Sequence, residues 1–343
     1  MTRILIHAYC THREPPPLHF PHRASAHFDR SSDQWCRNVD QFRDFCVGDE
    51  GRLLTPSLQQ VLGHIDRTRH HFSFEIDADH FGEMSAWCWA GNAIVLLPDG
   101  TVRDPAGNVL VDPESGCPHP KAVLPYPPDA RQRKSQNELW LRNRLIDVPD
   151  SLPPIVAEVE TTLRGADDVA WRSLAVFLVA VRSESVLAGK VIPSEALRER
   201  SPLAFHALTP SESTFLDRAD PPAEQASDWV WRYEALYVLQ WALGLHEELS
   251  FPDQLCEVPV VAGLMLDRQN ASFVASASLR SLPEVLDVAD KNYRMLWAAR
   301  DAAVHQQSPP AAVNGYVLSE RQQALNWLVR FPDVDWDDVD TPT

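Results

Sequence analysis

The sequence predicts an α+β fold, a small mixed α/β N-terminal domain with a β-meander followed by a mainly α-helical bundle domain. Three observations carry it. Turn dipeptides Asp99-Gly100 and Gly107-Asn108 sit between short β-prone runs in AIVLLPDGTVRDPAGNVLV, so the chain is expected to fold back twice there. A proline-rich stretch follows, and beyond it every strong signal is helical. The 343 residues exceed ordinary single-domain size, so two domains are expected, with one large irregular domain as the alternative. The boundaries read as 1–112 for the α+β domain, 113–154 for a proline-rich linker and 155–343 for the helical domain.

Taken in order, Ile4 to Ile6 reads as a first strand. EPPPLHFPHRASAHF, Glu14 to Phe28, is expected to be a surface loop, since consecutive prolines exclude helix interior and lack ladder donors. Helices are predicted over Asp33–Cys46 and Ser57–Arg69, the second opened by Thr55-Pro56. Phe72, Phe74 and Ile76 alternate with polar residues, as in a half-buried strand. Within the linker a short helix is expected near Gln136–Arg144, and the RQRK patch at Arg131–Lys134 reads as solvated chain.

In the second half, Asp167 or Asp168 is expected to cap a helix running to Gly189. The run Val169–Val181 is too short to span a bilayer and contains Arg172, which makes it a buried helix. Thr209-Pro210-Ser211-Glu212 and Ser281-Leu282-Pro283-Glu284 have the pattern of capping boxes, the latter opening a helix to about His305. Pro221-Pro222 opens a helical segment that Gly244 closes, and a last helix is expected from Tyr316 to Arg330.

That segment contains WVWRYEALYVLQWALG, Trp229 to Gly244. Its helical stripes are apolar on every side, which places it centrally in the bundle. Arg232 and Glu234 lie two positions apart, roughly 200° around a helix, so neither satisfies the other. A buried unpaired charge costs several kcal/mol, so separate partners are required. A buried network is expected in which Arg232 meets Asp290, Asp301 or Glu320 and Glu234 meets Arg294, Arg300 or Arg321. The network or binding residues are Arg232, Tyr233, Glu234, Arg294, Trp297, Arg300, Glu320, Arg321, Asn326 and Trp327. If the network lines a cleft, Glu234, Asp290 and Asp301 are the candidate catalytic acids.

WRYEAL at Trp231–Leu236, QWALGL at Gln240–Leu245, ALNWL at Ala324–Leu328 and the closing WDDVDTPT occur in order, and from about Asp167 onward the chain resembles the bacterial domain-of-unknown-function family 4272. FGEMSAWCWAGNAIVLLPDGTVRDPAG is also similar to what precedes this domain in longer members. The resemblance carries no activity. It implies a helical domain in which the Arg232, Glu234, Asn326 and Trp327 positions belong to characteristic motifs, and in which the closing segment docks on the bundle against arginines.

Composition bounds the function. The 31 Lys and Arg against 48 Asp and Glu give a net charge of −17, which argues against nucleic acid as a partner and for a basic protein partner, as in immunity proteins. The six cysteines show no C-x-x-C spacing, which fits free thiols in the cytoplasm. No membrane segment and no secretory signal is evident, no cofactor fingerprint occurs, and the oligomeric state is left open. Ten of the 13 histidines precede Lys121, without metal-ligand spacing, so scattered surface histidines are expected and no metal site. The D-x-D-x-D run of FPDVDWDDVDTPT lacks the glycine and distant glutamate of a calcium loop and reads as a solvated acidic tail anchored by Trp336. The function indicated is a protein-interaction module. The alternatives are a hydrolase acting on a small polar or anionic substrate, with Arg232 orienting it, and a structural helical module.

Overall fold

A computed structural model of the chain describes residues 3–48, 54–266, 270–331 and 333–342. It divides into two compact units, Met1–Gln132 with Val156–Glu160, and Arg133–Ile155 with Thr161–Thr343. The fold class is α+β, with the sheet in the first unit and helices throughout the second.

The first unit is built on a six-stranded antiparallel sheet of order β2-β3-β1-β4-β5-β6. Its strands are β1 (Arg3–Cys10), β2 (Arg23–Asp29), β3 (His70–Asp77), β4 (Ala93–Leu96), β5 (Val102–Arg103) and β6 (Val109–Val111). Helices α1 (Asp33–Val47), α2 (Pro56–Arg67) and α3 (Phe81–Gly91) pack on it. Alternate residues of a strand face opposite ways, and both faces are used. Ile6, Ala8, Cys10, Phe72, Phe74 and Ile76 form one core with Met84, Trp87 and Cys88 of α3. Tyr9, Ile94 and Val102 form the other with Val39 and Phe42 of α1 and Val61 and Ile65 of α2. The meander is present as β4-β5-β6, and its two reversals place Gly100 and Gly107 at φ of 78° and 87°.

Two expectations about this unit are corrected. The proline loop ends early: the prolines stop at Pro21, Arg23–Asp29 pairs with β3 at the sheet edge, and Phe20 is buried. The histidines are not merely surface residues. His64, His70 and His71 are buried, and His7 Nδ1 lies 3.0 Å from His71 Nε2, as His27 Nε2 lies from His70 Nδ1. Burial depresses His71 to about 4, with the nearby His7 and His27 adding to it. His64, fully enclosed, falls to about 3 through burial first and Arg67 second. Among the described residues no group of three or more His, Cys, Asp or Glu is placed to hold a metal ion.

Helix α4 (Pro128–Arg142) begins before the expected Gln136, because a proline at the first helical position sacrifices no hydrogen bond. The second unit then contains α5 (Ala166–Leu187), α6 (Ser194–Arg200), α7 (Pro210–Asp217), α8 (Ala223–Trp229), α9 (Arg232–Ala242), α10 (Val258–Leu266), α11 (Asn270–Ala275), α12 (Leu282–Val304) and α13 (Gly315–Leu328). Helix α5 packs on α8 and α9, α9 on α13, and α13 on α12. No helix of the described residues is long and apolar enough to cross a membrane.

Asp167 and Asp168 do not cap α5. Gly165 holds the cap position, and the aspartates sit in the first turn, where their charge complements the helix dipole. Both capping boxes form, with Glu212 accepting from the Thr209 main-chain N–H and Glu284 from that of Ser281, each at 2.9 Å. The expected single helix through Trp229 is broken. At Val230 and Trp231 the bonds tighten to i−3, Tyr233 N–H to Val230 O and Glu234 N–H to Trp231 O, so a tightened turn with helical backbone angles separates α8 from α9. Beyond α9, Leu245 N–H reaches Gln240 O and Gly244 N–H reaches Trp241 O, both 2.9 Å, with Gly244 at φ 75°. That left-handed closure favours glycine.

Candidate functional site

Arg232 is the first residue of α9 and reaches α13. Its Nη1 donates to Glu320 Oε2 at 2.9 Å and also to Gln323 Oε1. Of the three partners expected for Arg232, Glu320 is the one that meets it. Burial raises the Glu320 carboxyl above its ordinary range, Arg232 pulls it back, and Glu234 pushes it up again.

Glu234 points the other way and meets Arg321. Oε2 accepts from Arg321 Nε at 2.9 Å, and Oε1 from the Cys256 main-chain N–H at 2.5 Å. The Arg321 fork continues to the Ser250 carbonyl and hydroxyl at 2.6 and 3.3 Å, with its guanidinium over the Tyr237 ring. Burial and the adjacent carboxylate hold the Cys256 thiol far above the usual range. Burial first, and then donation of its hydroxyl to Glu184 at 2.7 Å, raise the Tyr233 pKa.

The expected single network across three helices is in fact two. Asp290 and Arg294 are four apart on α12 and satisfy each other through two bonds of 2.8 and 3.0 Å, so α12 offers neither to α9. Asp290 also accepts from Asn137 Nδ2 at 3.0 Å, and Arg294 reaches Glu138 at 3.2 Å and the Pro153 carbonyl. This second cluster ties α12 to α4. Trp297 is partly buried in the neighbouring apolar cluster. Asp301, 45% exposed, faces His305 and joins neither cluster.

Of the remaining predicted residues, Arg300 and Asn326 hold the closing segment, together with Gln323, which is not among the predicted residues. Arg300 donates to the Thr341 carbonyl, Asn326 to the Asp340 carbonyl at 2.9 Å, and Gln323 to the Trp336 carbonyl at 3.2 Å. Trp336 is buried, its ring 5.4 Å edge-on to Trp327. The aspartates Asp333, Asp335, Asp337, Asp338 and Asp340 stay exposed.

Arg164 has no part in the sequence expectations, and Arg172 and Glu212 enter them only as a charge in an apolar run and as a capping residue, not as partners of each other. Arg164 lies over Trp327 and donates to the Val334 carbonyl at 2.6 Å. Arg172 pairs with Glu212 between α5 and α7 and lies 5.1 Å from the Trp336 ring. The charge inside the apolar run of α5 was the available signal, since a buried arginine needs a carboxylate.

Chemically, the two buried candidate acids are closed. Glu234 and Asp290 are 1% and 0% exposed and each is bound by a guanidinium, so neither faces a space for substrate. Two shallow clefts lie in the first unit, about 200 Å³ beside Ser85, Arg103 and Asp104, and about 230 Å³ beside Arg3, His22 and Asp77. Neither is lined by network residues. A family model described as Domain of unknown function (DUF4272) matches residues 131–339. No curated protein and no solved structure matches the chain.

Proposed function

This chain belongs to the DUF4272 family, and we propose that it is a protein-interaction module that binds a basic protein through its acidic face, in the cytoplasm. The observation that carries this is the orientation of the closing segment. The carbonyls of Val334, Trp336 and Asp340 and the Trp336 ring turn toward the bundle, while the segment's aspartates stay exposed, Asp333 beside Arg164 and Arg330 and Asp337 beside Ser211. Asp168 adds to them, since its charge and those of Asp333 and Asp335 act on the same guanidinium of Arg164. With a net charge of −17, such a face favours fast, salt-sensitive association with a cationic surface. The charged seam between α9 and α13 then serves as scaffold that fixes the face.

The test is affinity capture from host lysate at low and high salt, comparing wild type with Asp168→Asn, Asp335→Asn and Asp338→Asn combined. A basic protein held at low salt, released at high salt and lost from the folded variant supports the function. Equal capture by both chains overturns it. Arg232→Ala, followed by melting temperature, separates the roles of the seam: reduced stability marks scaffold, and unchanged stability with lost capture marks a contact.

A further inference from the structure

The closing segment is held as a groove holds a peptide. Side-chain donors from the bundle take its main-chain carbonyls along its length, Arg164 at Val334, Gln323 at Trp336, Asn326 at Asp340 and Arg300 at Thr341. Recognition of main-chain oxygens by side chains is indifferent to sequence, and side-chain pockets supply selectivity. Here the pocket is a cage for one indole: Trp327 edge-on at 5.4 Å, with the guanidinium carbons of Arg172 and Arg232 at 5.1 and 5.9 Å. Arg164 at 3.6 Å and Arg330 at 3.7 Å from the Asp333 carboxylate make the entrance cationic.

The fit is incomplete. Trp336 Nε1, Arg172 Nε and Glu212 Oε1 are buried without hydrogen-bond partners, although Trp336, Arg172 and Glu212 are each 5% exposed or less. Buried unpaired polar groups cost free energy, so they offset part of what the cis contact contributes and leave it easier to displace. The segment forms a single short 3-10 turn at Trp336–Asp338, so little internal structure opposes its release.

We propose that this Arg- and Trp-lined groove is a binding site for an extended acidic peptide carrying a tryptophan, and that residues 333–341 occupy it in cis. A partner segment of that composition displaces the chain's own. This goes beyond the basic-partner function and is tested separately, because its ligand is anionic.

The probe is a labelled peptide of residues 333–341, DVDWDDVDT, added to the full-length chain and followed by fluorescence anisotropy. Trp336→Ala empties the cage in cis and is expected to bind the peptide at least about tenfold more tightly than wild type, because cis occupancy lowers apparent affinity by the closed fraction. A peptide with alanine for tryptophan should not bind. Asp333→Lys is the second variant, loosening the segment by repulsion from Arg164 and Arg330 while leaving the cage intact, and it serves if Trp336→Ala does not fold. The proposal is overturned if neither variant, shown folded by circular dichroism, binds the peptide more tightly than wild type, or if the tryptophan-free peptide binds equally well.

Discussion

Glu234 and Arg321 meet at 2.9 Å, with side chains 2% and 3% exposed, as a buried ion pair between α9 and α13. Such pairs recover their desolvation cost only when both partners are present. Glu234→Gln therefore strands a guanidinium and should lower unfolding free energy by about 3–5 kcal/mol. Glu234→Leu with Arg321→Met removes both charges and should recover part of the loss, the Cys256 N–H and Ser250 carbonyl losing the partners those side chains supplied. Denaturant titration of the single and double variants checks this; a double variant as unstable as the single one would contradict the pairing.

The first unit should lose stability in mild acid. His71 titrates near 4 in the fold and His64 near 3, against an ordinary 6.5. A depressed histidine leaves the unfolded chain binding more protons between the two values, so stability is present above 6.5 and falls as pH drops toward the folded value. At pH 5 each contributes a loss of about 2 kcal/mol relative to pH 7. Hydrogen exchange of β1 and β3 against pH measures it, and His71→Gln should flatten the dependence.

Glu160 should matter to the first unit despite its position beyond the proline-rich stretch. It is 1% exposed and accepts from the Ala157 main-chain N–H at 2.7 Å and from Arg67 and Asn92 at 3.3 Å. Glu160→Ala leaves Arg67 buried without its carboxylate and should cost about 3 kcal/mol or more. Loss of exchange protection confined to β1, α2 and β4 is the expected signature; an unchanged profile would rule out this role.

Gly244→Ala tests the end of α9. The site has open space, but φ is 75°, so the cost comes from the left-handed backbone, about 1 kcal/mol. A small drop in melting temperature is expected, whereas a collapse of the fold would show that packing is at stake.

Much of the fold was readable from local patterns because local physics decided it. The alternation of Phe72, Phe74 and Ile76, the dipeptides at Asp99 and Gly107, and the boxes at Thr209 and Ser281 act within a few residues. Failures came where neighbours in space intervened. Nothing local marks Arg23–Asp29 as a strand, since it forms by pairing with β3, and nothing local breaks the helix at Val230 and Trp231.

The candidate site divides the same way. Spacing alone shows that Arg232 and Glu234 face apart, because helix geometry is a property of the segment, and the apolar stripes around them predict a partner for each. Packing then buries Glu234 and leaves Arg232 only partly buried. Which partner each takes is a property of packing. Asp290 and Arg294 neutralise each other on α12, which leaves Glu320 and Arg321, neighbours on α13, to receive the two charges. The choice between acids of equal chemistry rests on helix placement, and long-range packing sets that placement.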